Sequence, residues 1–200
     1  MIAIVDYGAG NLFSVKNALD YLNINNCFTS KKEDLINADA IILPGVGAFP
    51  SAMKMLNDTG LIQTIKEQSQ IKPFLGICLG MQMLFEKGYE FEETDGLGLI
   101  KGNIDKINVT NLNIPHMGWN KLEILNDCPL MHGLNDDTYV YFVHSYQAYC
   151  NDNNISAYCD YEVRIPALVF NKNIYGAQFH PEKSGESGLR MLKNFTQLIK

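Results

Sequence analysis

The chain has no long apolar run, no basic run, no closely spaced cysteines and a single tryptophan, and each shortage excludes something. Its longest apolar-rich stretch, residues 73–85, is interrupted by Gln82 and is too short to cross a bilayer. Lysine and arginine number 16 against 22 acidic residues, leaving a net charge of -6 and a pI near 5.2. Neither nucleic acid nor an anionic membrane is therefore expected as the main partner. Five cysteines are an odd count, and none stands in a C-x-x-C spacing, so neither a disulfide framework nor a metal site is expected. With the strand-like Ile2-Ala3-Ile4-Val5 at its start the chain is expected to carry no export signal, and a reducing cytoplasm is the expected setting. What is present, 200 residues with 46% hydrophobic and 19% charged content, fits one globular domain over residues 1–200.

The stretch with the most chemical content is Lys72-Pro73-Phe74-Leu75-Gly76-Ile77-Cys78-Leu79-Gly80-Met81-Gln82-Met83-Leu84-Phe85. Phe74, Leu75 and Ile77 suit a buried parallel strand, and from Leu79 the spacing becomes helical, with Gly88 as the expected stop. Gly76-Ile77-Cys78-Leu79-Gly80 thus matches a nucleophile elbow with cysteine in place of serine. The glycines leave room where strand and helix cross, and Cys78 is expected to be strained at a helix N-terminus. The amide of Leu79 is placed to hold a developing oxyanion.

Upstream, Ile2–Val5 reads as a first strand and Asp6-Tyr7-Gly8-Ala9-Gly10-Asn11 as the turn after it. Asn11 is the expected N-cap of a helix carrying Leu12, Val15, Ala18, Leu19 and Leu22 on one side. The Gly8-x-Gly10 pair is followed by Phe13 where a dinucleotide-binding turn needs a third glycine, so no nucleotide cofactor is expected. Asn26–Thr29 and Ala40–Leu43 read as strands, the latter ending in Pro44-Gly45-Val46-Gly47, and a helix follows from Pro50. In an open parallel sheet the loops at strand carboxyl ends share one rim, so Gly45 to Gly47 should stand beside Cys78 and offer a second oxyanion donor. Beyond Gly88, residues 101–109 and 121–125 read as inserted antiparallel strands, with Pro115-His116-Met117-Gly118-Trp119-Asn120 as a turn between them. Strands are expected again at 139–143, 155–158, 167–170 and 174–179, and a last helix at Leu189, Leu192, Phe195 and Ile199.

A cysteine nucleophile needs a base. His180 and Glu182 flank Pro181, and the residue before proline is pushed toward extended backbone. Extended residues two apart face the same way, so carboxylate and imidazole should lie side by side, the one fixing the tautomer of the other. His116 and His132 sit in turns with no such neighbour, and Cys27, Cys128, Cys150 and Cys159 lack flanking glycines.

Together, Gly76-Ile77-Cys78-Leu79-Gly80-Met81-Gln82 and His180-Pro181-Glu182 resemble the class I, triad-type glutamine amidotransferases. Asp6-Tyr7-Gly8-x-Gly10-Asn11, Pro44-Gly45-Val46-Gly47, Pro115-His116-x-Gly118-Trp119-Asn120 and His144-Ser145-Tyr146 are similar to motifs of the members that serve imidazole glycerol phosphate synthases. The resemblance implies an α/β fold: a flavodoxin-like, doubly wound, mostly parallel sheet with inserted antiparallel strands. It also implies hydrolysis of L-glutamine by Cys78, His180 and Glu182, with Leu79 and Val46 or Gly47 as oxyanion donors. Gly45, Gln82, His144, Ser145 and Tyr146 would contact glutamine. A (β/α)8-barrel synthase subunit would receive the ammonia in a heterodimer, touching Asn11, Trp119 and Lys183. The alternative is a paralogous subunit feeding a surface-sugar synthase, and a more distant one is a cysteine hydrolase acting alone.

Overall fold

A computed structural model describes residues 1–135 and 137–199. Its first half alternates strand and helix: β1 (Ile2–Val5), α1 (Leu12–Tyr21), β2 (Asn26–Thr29), α2 (Lys32–Asn37), β3 (Ala40–Gly45), α3 (Phe49–Asp58), α4 (Ile62–Gln68) and β4 (Phe74–Cys78). Strands β1, β3 and β4 are buried along their whole length, as apolar runs covered on both faces must be. Alternate side chains go to opposite faces. Ile2, Ile4 and Ile42 meet Val15 and Leu19 of α1, whereas Ala3, Val5, Ile41 and Leu43 meet Leu35 of α2, Leu56 of α3 and Ile65 of α4. Helices α2 and α4 were not anticipated from the sequence; both are short and each buries only a few side chains.

After β4 comes α5 (Leu79–Gln82), far shorter than the helix to Gly88 that the apolar spacing suggests. The reason lies in the next segment. The carbonyls of Met83, Leu84, Phe85 and Glu86 accept from the amides of Leu97, Leu99, Gly98 and Gly96 at 2.8–3.0 Å, which replaces the helical ladder. Gly88 is instead part of a strand, in a run comprising β5 (Lys87–Gly88), β6 (Thr94–Asp95), β7 (Asn103–Lys106), β8 (His116–Lys121), β9 (Glu123–Ile124), β10 (Tyr139–His144) and β11 (Tyr146–Tyr149). The chain closes with β12 (Ile155–Tyr161), β13 (Val163–Asn171), β14 (Ile174–Ala177) and α6 (Gly185–Thr196).

The main sheet runs β2-β1-β3-β4-β14-β13-β12-β9. Its first five strands are parallel and the rest antiparallel, so the parallel half has the flavodoxin-like order, with β14 arriving last at the fifth place. Two smaller sheets flank it: β11-β7-β5-β6, and an antiparallel ribbon of β8 and β10. Residues 116–120 are therefore strand, not the turn that Gly118 and the preceding Pro115 suggest. Pairing with β10 overrides local turn chemistry, Gly118 accommodating a φ of 134° opposite Phe142. Among the described residues no helix is long and apolar enough to cross a membrane.

Candidate active site

The carboxyl ends of β3, β4 and β14 stand side by side, with Gly45 in register with Cys78. At the end of β4 the chain turns into α5 within one residue, and Cys78 takes φ 55° and ψ -112° to do so. That crossing needs glycine. A Cβ on Gly80 would lie 1.9 Å from the Leu43 carbonyl oxygen, and one on Gly76 would lie 2.6 Å from the Gly80 oxygen. Gly45 belongs to the same crossing: its Cβ would lie 2.6 Å from the Gly80 nitrogen. Gly45, expected from the resemblance to contact substrate, is buried against the elbow, and Val46 and Gly47 after it stand at the wall of the cavity above.

That cavity, about 400 Å³, is walled by Val46, Gly47, Leu79, Gln82, His144, Ser145, Tyr146 and Lys183, with Cys78 and His180 both opening onto it. His180 Nδ1 lies 2.7 Å from a Glu182 carboxylate oxygen, and the two side chains are almost wholly buried. The backbone reason differs from the one anticipated. His180 itself is extended, but Pro181–Lys183 forms a 3-10 turn, and this turn brings the carboxylate back onto the ring. Ser184 holds the arrangement: its hydroxyl donates to the His180 carbonyl at 2.6 Å and accepts from the Tyr141 amide at 3.0 Å. The His180 amide donates to the Tyr141 carbonyl at 3.0 Å. Burial pushes the His180 pKa down, but interactions with the Cys78 sulfur and then the Glu182 carboxylate outweigh it and raise the value to about 10. The Cys78 sulfur also lies 3.9 Å from the Val143 carbonyl oxygen.

Gln82 is buried, its amide nitrogen donating to the Tyr146 carbonyl at 3.0 Å and to Gln178 at 2.9 Å. His144 is buried with Nδ1 at 2.7 Å from the same Tyr146 carbonyl, and burial drives its pKa down to about 3. His116, assigned from sequence to a turn without partners, lies on β8 directly opposite His144, the two rings 3.0 Å apart at their nitrogens. Sequence reasoning also missed Glu90, a cavity-lining carboxylate that accepts from the Phe49 amide at the start of α3 at 2.7 Å. Nothing in Glu90-Phe91-Glu92-Glu93 distinguishes it from a solvated acidic loop.

A strand-end cysteine and a buried histidine–carboxylate pair that share one cavity match the sequence-wide similarity of this chain. Residues 3–198 match the family model described as glutamine amidotransferase class-I. The chain belongs to this family. It is 50% identical, over all of its own length and 95% of the relative's, to "Imidazole glycerol phosphate synthase subunit HisH" of Bacillus cereus (strain G9842). It is 49% identical, over the same shares, to the protein of that name from Bacillus anthracis. Among solved structures, "Crystal structure of glutamine amidotransferase" aligns with TM-score 0.78 at 21% identity, covering 100% of this chain and 99% of that one. "Structure of PurLQS from Thermotoga maritima" aligns with TM-score 0.72 at 20% identity, covering 100% and 98%. At those identities the structures support the fold alone.

Of the residues linked to a partner by resemblance, Trp119 is 54% exposed on β8 with its ring 6.1 Å from that of Tyr141. Lys183 is exposed at the cavity wall. Asn11 precedes α1, where its side chain accepts from the Ser14 hydroxyl at 2.8 Å rather than from a helix amide.

Proposed function

We propose that the chain is the glutaminase subunit of an imidazole glycerol phosphate synthase in histidine biosynthesis, hydrolysing L-glutamine to glutamate and ammonia for use by a synthase partner. Its family, and 50% identity along its whole length to relatives of that name, support this reading and disfavour the surface-sugar alternative. The observation that carries the chemistry is the buried His180–Glu182 pair, 2.7 Å apart, opening with Cys78 onto one cavity.

Cys78 attacks the side-chain carboxamide carbon of glutamine. Glu182 holds the Nδ1 proton of His180, whose raised pKa keeps a second proton, drawn from the Cys78 thiol, on Nε2 until the departing nitrogen takes it. The negative oxygen formed in attack is held by the Leu79 amide with that of Val46 or Gly47. Ammonia leaves, and water activated by His180 then cleaves the thioester to glutamate and frees the thiol. Gln82 and the 144–146 segment grip the amino-acid portion, and Glu90, the one carboxylate among the lining residues, faces its ammonium. The partner is a (β/α)8-barrel subunit, bound as a heterodimer through the side bearing Asn11, Trp119 and Lys183, in the cytoplasm. Residues 1–200 act as one amidotransferase domain.

The test is glutamate release from glutamine, with and without the cognate barrel subunit and its nucleotide ligand. Release should be weak alone, rise steeply in the complex and vanish in Cys78→Ala. Release that ignores the partner, or that survives Cys78→Ala, overturns the reading; partner-free cleavage of esters or peptides would favour a solitary cysteine hydrolase.

A further inference from the structure

Ser184 stands at the N-cap of α6, where a serine ordinarily turns its hydroxyl onto an amide of the helix's first turn. Ser184 makes no such bond, and its backbone, at φ -102° and ψ 26°, is not extended. Its hydroxyl points back to the turn that carries Glu182. A backbone carbonyl can only accept and an amide can only donate, so both of its bonds have a fixed sense. It donates to the His180 carbonyl at 2.6 Å and accepts from the Tyr141 amide at 3.0 Å. The Tyr141 carbonyl in turn accepts from the His180 amide at 3.0 Å. Among the described residues β10 pairs with no strand but β8. At Tyr141 its other edge is taken by the catalytic turn, through one bond from backbone and one from Ser184.

The Glu182 carboxylate depends on that seat. One of its oxygens meets His180, and the other is buried with no partner among the described residues. No second hydrogen bond orients the carboxylate, so its direction comes from the backbone of the turn. Helix α6 backs the same turn, approaching so closely that a Cβ on Gly188 would lie 1.9 Å from the Pro181 oxygen.

We propose that Ser184 is a positioning residue for the triad: its hydroxyl supplies the second tie between β10 and the His180–Glu182 turn and stops that turn from pivoting. This rests on the glutaminase reading above for the reaction served. Without the hydroxyl the turn keeps a single bond to β10, from the His180 amide, about which it can rotate. The Tyr141 amide is left unpaired, while the His180 carbonyl still accepts from the Lys183 amide at 3.0 Å. Rotation spoils the aim of His180 at Cys78. It leaves Gln82 and the 144–146 segment, which the turn does not carry, where they are. The effect therefore falls on turnover rather than on binding.

The experiment measures kcat and KM for glutamine in the complex with the synthase subunit. Ser184→Ala should lower kcat roughly tenfold or more, as a misaimed base does, with KM within about twofold of wild type. Ser156→Ala is the control. It too removes a buried hydroxyl that donates to a backbone carbonyl, that of Asn126 at 3.0 Å, but on β12 and away from the cavity. Its kcat should stay within about twofold of wild type. Should Ser184→Ala not fold, Ser184→Cys keeps a weaker donor at the position and should lower kcat about threefold or more. The proton between His180 Nδ1 and Glu182 reports the aim directly, and a loss of stability alone would not move it. In 1H NMR of the complex it should lie far downfield in the wild type and shift upfield in the Ser184 variant. An unchanged kcat in that variant, a KM that rises as kcat falls, an equal loss in Ser156→Ala, or an unmoved proton overturns the proposal. A wild-type complex that releases no glutamate overturns the glutaminase reading instead, and the proton then tests the tie by itself.

Discussion

Cys78 sits at φ 55° and ψ -112°, a setting that an L-residue holds only at a cost of about 1–3 kcal/mol, and it does so between strand and helix with no freedom to relax. Glycine bears that conformation without a Cβ penalty. Cys78→Gly is thus expected to melt above Cys78→Ala by roughly 2–4 °C, about 1 kcal/mol for a chain of this size, by differential scanning fluorimetry. Both variants remove the thiol, so the comparison isolates backbone strain from chemistry. Equal midpoints would mean the elbow stores no strain at this residue. The same position explains why the cysteine was legible in sequence: the glycines at 76 and 80 have no other reason to bracket it.

The elbow as an element depends on contact between backbones. A Cβ on Gly80 would meet the Leu43 carbonyl oxygen at 1.9 Å, and neither α5 nor β3 has a flexible side chain there to give way. Gly80→Ala should therefore cost about 3 kcal/mol or more and lower the melting midpoint by roughly 6–12 °C. A midpoint within a degree of wild type would show that α5 can shift off β3. Two neighbouring elements were misread for opposite reasons. The helix after Cys78 stops early because residues 96–100 take its carbonyls, a pairing no local pattern announces. The ribbon strand β8 exists because β10 pairs with it, although its own residues carry turn chemistry.

At the scale of the molecule, two buried histidines titrate in opposite senses. The folded-state pKa of His180 is raised from 6.5 to about 10, burial opposing and Cys78 and Glu182 prevailing, so its stabilisation is full below pH 6.5 and is lost as pH rises toward 10. Burial depresses His144 to about 3, so its contribution is present above pH 6.5 and is lost as pH falls toward 3. Burial also raises the Cys159 thiol to about 12, adding to the alkaline loss. The melting midpoint should peak near pH 6.5 and decline on both sides in a scan from about pH 4 to pH 10; a monotonic profile would contradict this balance. Assembly belongs to this scale as well. Trp119 is more than half exposed, so Trp119→Ala should leave the isolated subunit's midpoint within about 2 °C of wild type. Its affinity for the synthase subunit, read by calorimetric titration, should fall at least tenfold if the tryptophan is an anchor of that contact.

The sequence by itself determined the alternation of buried strands and helices and the glycine-bracketed cysteine, because both are local: apolar periodicity and backbone clearance act over a few residues. It also pointed to His180 and Glu182, which lie two apart, though through an extended geometry that proved to be a 3-10 turn. Only the tertiary structure decided what faces what. Gly45 went beneath the elbow, Glu90 came onto the cavity wall, and His116 met His144, since strand register and sheet order join residues that chain spacing keeps apart.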